Sequence, residues 1–170
     1  RKYRFWPISA LSIIKTFYFS IYNLALSNFL IFDKGLKASI VGIVVSSYSF
    51  AYILGPLLGE KLTEQIGIRA AILASTITSS LCLVAQLLFP SPIFLIVLRF
   101  IDGLSLGLFW PNLQLEMCNW DNKTNGSDLD SYFKTYGTSW NLGLLLGYLV
   151  GYLIVYFLTD VISFPSVLYI

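Results

Sequence analysis

Residues 93–113, IFLIVLRFIDGLSLGLFWPNL, decide the class of this protein. At about 1.5 Å of helical rise per residue the stretch is long enough to cross a hydrocarbon core of about 30 Å. Inside lipid every backbone N–H and C=O must find its partner within the protein, which leaves helices and closed barrels as the only spanning structures. A barrel strand would alternate apolar and polar residues over about ten positions, and this run does not alternate. Four more stretches of the same kind flank it, at about Ile8–Phe32, Ser39–Gly59, Ala70–Phe89 and Thr138–Leu158. The fold class expected is all-α, a polytopic helical bundle embedded in a lipid bilayer.

Composition agrees with that expectation. Hydrophobic residues make up 56% of the chain, charged residues 12%, and the mean hydropathy is +0.74, against about 25% charged residues in an average soluble domain. The net charge of +2 has no basic cluster beyond Arg1, Lys2 and Arg4, which argues against nucleic-acid binding. The chain has no histidine, and its only cysteines are Cys82 and Cys118. No disulfide framework, metal site or cofactor is therefore expected. Nor does any nucleophile–base pair or phosphate-binding Gly-Lys-Ser/Thr element suggest an enzyme or an ATP-driven pump.

Lysine and arginine counts set the expected topology. Arg1, Lys2, Arg4, Lys61, Arg69, Lys123 and Lys134 fall on one side of the spans, and Lys34 and Lys37 on the other. By the positive-inside rule the N-terminus is cytoplasmic, as are the stretches Gly59–Arg69 and Asn119–Lys134, read here as loops. Phe89-Pro90-Ser91-Pro92 is then a tight external turn. The glycosylation-type triplets at Asn122 and Asn125 lie on the cytoplasmic side, where they go unused. A sixth span begins near Val161, but only about ten residues follow, roughly half a crossing. With Arg1 rather than Met in first place, the chain reads as a fragment of a longer protein.

The candidate functional residues are the polar ones inside the spans. Arg99 and Asp102 stand well within the fourth, where one such residue costs about 2.5–3.5 kcal/mol on insertion scales. Three residues apart, they share a helical face and reduce each other's desolvation cost. Ser105, Asn112 and Glu116 continue along that face. In the first span Thr16, Ser20, Asn23 and Ser27 recur at spacings of four, three and four, a polar stripe on an apolar helix. Two readings stay open for each set. They line a water-filled pathway, or they join helices through an ion pair and interhelical hydrogen bonds. Lys15 is expected to snorkel to the interface.

An internal repeat is also visible. Residues 47–59, SYSFAYILGPLLG, align at constant offset with residues 139–151, SWNLGLLLGYLVG, so that Gly55 and Gly59 match Gly147 and Gly151. The two spans cross in opposite directions, as in a three-helix unit repeated with inverted topology. The simpler reading is that small-xxx-small helices resemble one another because glycines admit close helix approach.

Three motifs in order resemble the major facilitator superfamily. Gly59-Glu60-Lys61-Leu62-Thr63-Glu64-Gln65-Ile66-Gly67-Ile68-Arg69 is similar to its Gly-rich loop between helices two and three, with Ile68 where a base is usual. Arg99-Phe100-Ile101-Asp102-Gly103 resembles its Arg-x-x-polar-Gly element in helix four. Gly143-x-x-x-Gly147-Tyr148-x-x-Gly151 resembles its antiporter motif, with Tyr148 in place of Pro and Tyr152 in place of Gly. The resemblance covers nearly the whole chain and implies the N-terminal six-helix half of a twelve-helix transporter: a 3+3 inverted repeat, its sixth helix incomplete here and its C-terminal half absent. It also implies that helices one and four face a central pathway for a small-molecule substrate moved by alternating access. Glu64, Arg69 and Glu116 would form a cytoplasmic latch, and Asp102 with Arg99 would couple protons. A non-transporting receptor or trafficking protein of the same fold is the alternative; a channel has neither a charge ring nor a carbonyl filter to support it. The protein is placed in the cell membrane.

The topology is directly measurable. With Cys82 and Cys118 replaced by serine, a cysteine introduced at Ser91 is expected to react with an impermeant thiol reagent from outside the cell, and one at Ser127 only after permeabilisation. The opposite labelling would invert the orientation.

Overall fold

The computed structural model describes residues 5–123 and 129–162. Among them every regular element is helical: α1 (Phe5–Asn28), which runs on into a π-helical turn at Phe29–Asp33, α2 (Ala38–Ile66), α3 (Ile68–Leu88), α4 (Pro92–Asn122) and α5 (Leu129–Ile162). All five are long and apolar enough to cross a membrane. They form two compact units, one built from α1 and α5 and the other from α2, α3 and α4. Arg1, Lys2 and Arg4, the triplet at Asn125 and everything after Ile162, where the sixth span would run, lie outside the described residues.

The helices overrun the spans read from hydropathy. α2 continues from Gly59 through Glu60, Lys61 and Glu64 to Ile66, α4 from Leu113 to Asn122, and α5 starts nine positions before Thr138, at Leu129. Two of the expected loops are thus largely helical. Hydropathy marks the part of a helix that sits in hydrocarbon, whereas backbone hydrogen bonding carries on through charged residues that favour helix. What remains between α2 and α3 is Gly67, whose φ of 84° is the conformation that lets one residue reverse a helix end without Cβ strain. Its N–H donates to the Thr63 carbonyl at 2.8 Å, and its own carbonyl accepts from Ala71 at 3.0 Å. The α3–α4 turn follows from its prolines: Pro90 disfavours the α conformation at Phe89 and ends α3, and Pro92 occupies the first turn of α4, where its missing N–H goes unneeded.

In the three-helix unit α4 is the central element. Fifty-six per cent of its membrane window is buried, against 28% for α2 and for α3. The α2–α4 contact is made through glycine. A Cβ on Gly55 would lie 2.5 Å from the Cα of Gly107, and one on Gly107 would lie 2.5 Å from the Tyr52 carbonyl. That carbonyl stands four residues before Pro56, which has no N–H to offer it. Gly107 therefore receives, against its Cα, an oxygen deprived of its helical donor. Gly103 approaches Tyr48 and Ala51 in the same way, and Gly59 faces the Leu108 side chain. In the other unit Gly143 packs on Thr16 and Ile13, Gly147 on Phe17 and Ser20, and Gly151 on Leu24 and Ile21. The glycines singled out by their spacing in α2 and α5 thus stand at close helix contacts. The large apolar side chains point the other way, with Leu73, Ile77, Leu81 and Leu88 of α3 and Leu145, Leu149 and Tyr152 of α5 exposed.

These contacts predict a graded response to one added methyl group. Gly107→Ala forces backbone against backbone and is expected to destabilise the protein by about 1–3 kcal/mol, the range for overpacking. Gly59→Ala meets only the end of the Leu108 side chain, which can turn aside, so its thermal unfolding midpoint in detergent should fall much less. Equal losses would show that the two contacts are alike.

Candidate functional site

Buried polar residues of α3 and α4 meet at Ser79 and Asp102. On α3, Ala71, Ser75, Ser79, Cys82 and Gln86 are buried at intervals of three and four, the helical period, while the apolar residues between them face outward. Opposite them, Arg99 and Asp102 of α4 are 1% and 6% exposed. The Asp102 carboxylate is held by each of its oxygens. Ser79 Oγ donates to Oδ1 at 2.6 Å, and Arg99 Nη1 stands 3.7 Å from Oδ2. The ring of Tyr48 from α2 has its centre 4.2 Å from Arg99 Cζ, a cation–π contact. The cation thus has both an aromatic ring and a carboxylate close by, which offset part of the cost of holding a guanidinium away from water.

The other candidates fall in several places. Thr16 and Ser20 of α1 are buried at the glycines of α5, where Thr16 Oγ1 donates to its own Ser12 carbonyl at 2.7 Å and reaches the Trp140 carbonyl at 3.2 Å. Ser20 Oγ bonds the Thr16 carbonyl at 2.9 Å. Asn23 and Ser27, further along α1, are half-buried. Lys15 differs from expectation. Instead of reaching out to an interface it is 6% exposed, with Nζ 3.4 Å from the Tyr18 hydroxyl and 5.4 Å from that ring's centre. One turn away, the phenol offers both an acceptor and a π face, so the ammonium is partnered without leaving the protein.

Toward the α2–α3 turn, Asn112 donates to Thr63 Oγ1 at 3.0 Å and to the Leu108 carbonyl at 2.7 Å, joining α4 to α2. Beside it a cavity of about 400 Å³ opens between the two helices, lined by Pro56, Gly59, Thr63, Glu64, Gly107 and Asn112. Small and imino residues leave that space unfilled. Of the three latch candidates, the structure brings two together. Arg69 Nε and Nη2 both lie 2.9 Å from Glu116 Oε1, which also accepts from Trp120 Nε1 at 2.9 Å. Glu64 lies apart from them, at the cavity. Arg69 is largely exposed, so the pair itself contributes about 0–1 kcal/mol.

Sequence reasoning missed Ser79. Its signal was present, since Ser75, Ser79, Cys82 and Gln86 keep helical spacing, but a serine in an apolar run bonds its own backbone as readily as a partner. Ser75, bonded to the Ile72 carbonyl at 2.9 Å, does so.

Long apolar helices that face their polar residues inward, with an ion pair at membrane depth, define a multi-pass integral membrane protein. The sequence model of the Major Facilitator Superfamily matches residues 8–170, and the chain belongs to that superfamily of transporters. No curated protein and no solved structure matches the chain.

Removing one partner of the ion pair should cost more than removing both. Asp102→Leu leaves a buried guanidinium without its carboxylate and is expected to destabilise the protein by about 3–5 kcal/mol. Arg99→Met combined with Asp102→Leu should recover most of that loss in thermal unfolding in detergent. A double variant as unstable as the single one would mean that Arg99 draws its support elsewhere.

Proposed function

We propose that this chain is the N-terminal half of a secondary active transporter that moves a small solute across the cell membrane by alternating access, with proton uptake and release at Asp102 coupled to the cycle. The observation that carries the reading is the Arg99–Asp102 pair. An acid and a base at membrane depth are costly, and functional use is the default explanation for them. A carboxylate 3.7 Å from its cation is near enough to be held in the charged form, and because both residues stand on α4 a side-chain rearrangement, not a displacement of the helix, would part them. Parting the pair favours protonation; reuniting it favours release. Burial by itself opposes the charged form, so the balance depends on the neighbouring guanidinium.

The residues proposed to serve the pathway are Asn23 and Ser27 of α1 in one unit and Arg99, Asp102 and Asn112 of α4 in the other. Thr16 and Ser20 of α1, proposed for the same role, also serve the glycine contacts with α5. The inverted repeat is supported by a correspondence of packing. If α1 matches α4 and α2 matches α5, the glycine contact of α5 with α1 is the counterpart of that of α2 with α4. Arg69 and Glu116 act as a cytoplasmic latch at the α2–α3 turn, with Glu64 as an alternative acceptor for Arg69 when the end opens. A pair worth about 0–1 kcal/mol biases a near-balanced equilibrium without locking it. Alternating access would rock this bundle against a second, C-terminal half, and the N-terminus is assigned to the cytoplasm.

A second reading draws on the 1% exposure of Arg99. A guanidinium so enclosed also suits a permanent structural pair, in a receptor or trafficking protein that keeps the fold without transport. Asp102→Asn separates the two. In the full-length protein reconstituted in vesicles, the substitution is expected to abolish solute movement driven by a pH gradient while leaving exchange at equal pH largely intact. Gradient-driven movement that survives unchanged would make Asp102 structural.

A further inference from the structure

We propose that Ser79 is the positioning residue for Asp102: its hydroxyl orients the carboxylate and sets the pH at which that carboxylate takes up a proton. This rests on the reading of Asp102 as a titrating group. It adds a second control, on a different helix from the first. Ser79 stands on the buried face of α3, is 1% exposed, and donates to Oδ1 at 2.6 Å, a short contact of the kind a hydroxyl makes to an ionised oxygen. Arg99 lies nearer the other oxygen. The two oxygens are thereby made unequal, one facing a hydroxyl on α3 and the other a guanidinium on its own helix.

The groups around Asp102 assign the controlling role. From α4 the charged group is Arg99, fixed three residues away on the same helix. Helix α2 contributes the Tyr48 phenol ring, which stacks on Arg99. On α3 the ionisable neighbour is the Cys82 thiol, which lies within the field of the Asp102 carboxylate, and the hydrogen-bond donor is Ser79. Arg99 and Asp102 are carried by one helix and move together, so a rigid shift of α4 changes their separation little. The Ser79 contact spans two helices. Sliding α3 against α4 by an ångström or two breaks it, since a hydroxyl–carboxylate bond weakens steeply beyond about 3 Å. The charged carboxylate gains more from such a donor than the neutral acid does. Loss of the contact therefore favours the proton, and recovery expels it. A hydroxyl can also turn and accept from the protonated acid, so the same side chain serves both states.

The test is an infrared titration of the full-length protein. The carbonyl stretch of protonated Asp102 is isolated by subtracting the Asp102→Asn spectrum, and its midpoint is followed with pH. Ser79→Ala is expected to move the midpoint upward by roughly one to two pH units, the worth of one hydrogen bond to a charged group. Ser79→Thr, which keeps the hydroxyl, should restore it. Ser79→Cys, of similar volume and a weak donor, should shift it in the same direction as alanine and serves if the alanine variant does not fold. A midpoint unmoved in folded Ser79→Ala or Ser79→Cys protein would overturn the proposal, as would the absence of an Asp102 carbonyl band at every pH. The readout is independent of transport. A shifted midpoint together with unimpaired gradient-driven transport in Asp102→Asn would leave Ser79 as the positioning residue and remove the coupling role from Asp102.

Discussion

A polar group in hydrocarbon has no water to return to, and the arrangement of this chain follows from that constraint. Polar side chains within the helices turn inward and many large apolar ones face outward, while Leu95, Phe109, Trp110 and Met117 of α4 are buried as they would be in a water-soluble bundle. α3 shows it most plainly. Ser75, Ser79, Cys82 and Gln86 line its inner face, and leucine, isoleucine and valine dominate its outer face. In α4 the same demand reaches a full charge. Arg99 is made tolerable in part by an aromatic ring from α2 and a carboxylate from its own helix.

Lipid tails are as apolar as leucine, so apolar side chains give helices little reason to associate, and close backbone approach does the work instead. That is why close contacts lie at Gly55, Gly103 and Gly107 in one unit and at Gly143 and Gly147 against α1 in the other. Pro56 sharpens the first of these. By withholding an N–H it turns the Tyr52 carbonyl into an acceptor that only a residue without a side chain can approach. The glycine and the proline belong to one device, although they stand on different helices.

Close approach then determines the electrostatics. With α2 drawn onto α4 by glycine, Tyr48 comes within stacking distance of Arg99. With α3 packed along α4, Ser79 reaches Asp102. The carboxylate consequently has partners on two helices, α3 and α4. At the end of the unit the Arg69–Glu116 pair joins the start of α3 to α4 near the surface, where water screens it and it can yield.

Length and hydropathy alone determined the all-helical, membrane-crossing class, because a run of about twenty apolar residues has no other way to satisfy its backbone in lipid. Arg99 and Asp102 were legible for the same reason, since charge at that depth is too costly to be incidental. The glycines of α2 and α5 were legible from their spacing, although the partners they meet were not. Helix ends were misread at Gly59–Ile66 and Gln114–Asn122 of the two long helices, because hydropathy reports the solvent around a helix and not its hydrogen bonds. Lys15 was misread because a lysine near a helix end can reach water or a neighbouring phenol, and only packing selects between them. Ser79 stayed hidden because its hydroxyl has an acceptor available in every turn of its own helix. That it donates to Asp102 was decided by the tertiary structure, which alone sets the distance between residues on different helices.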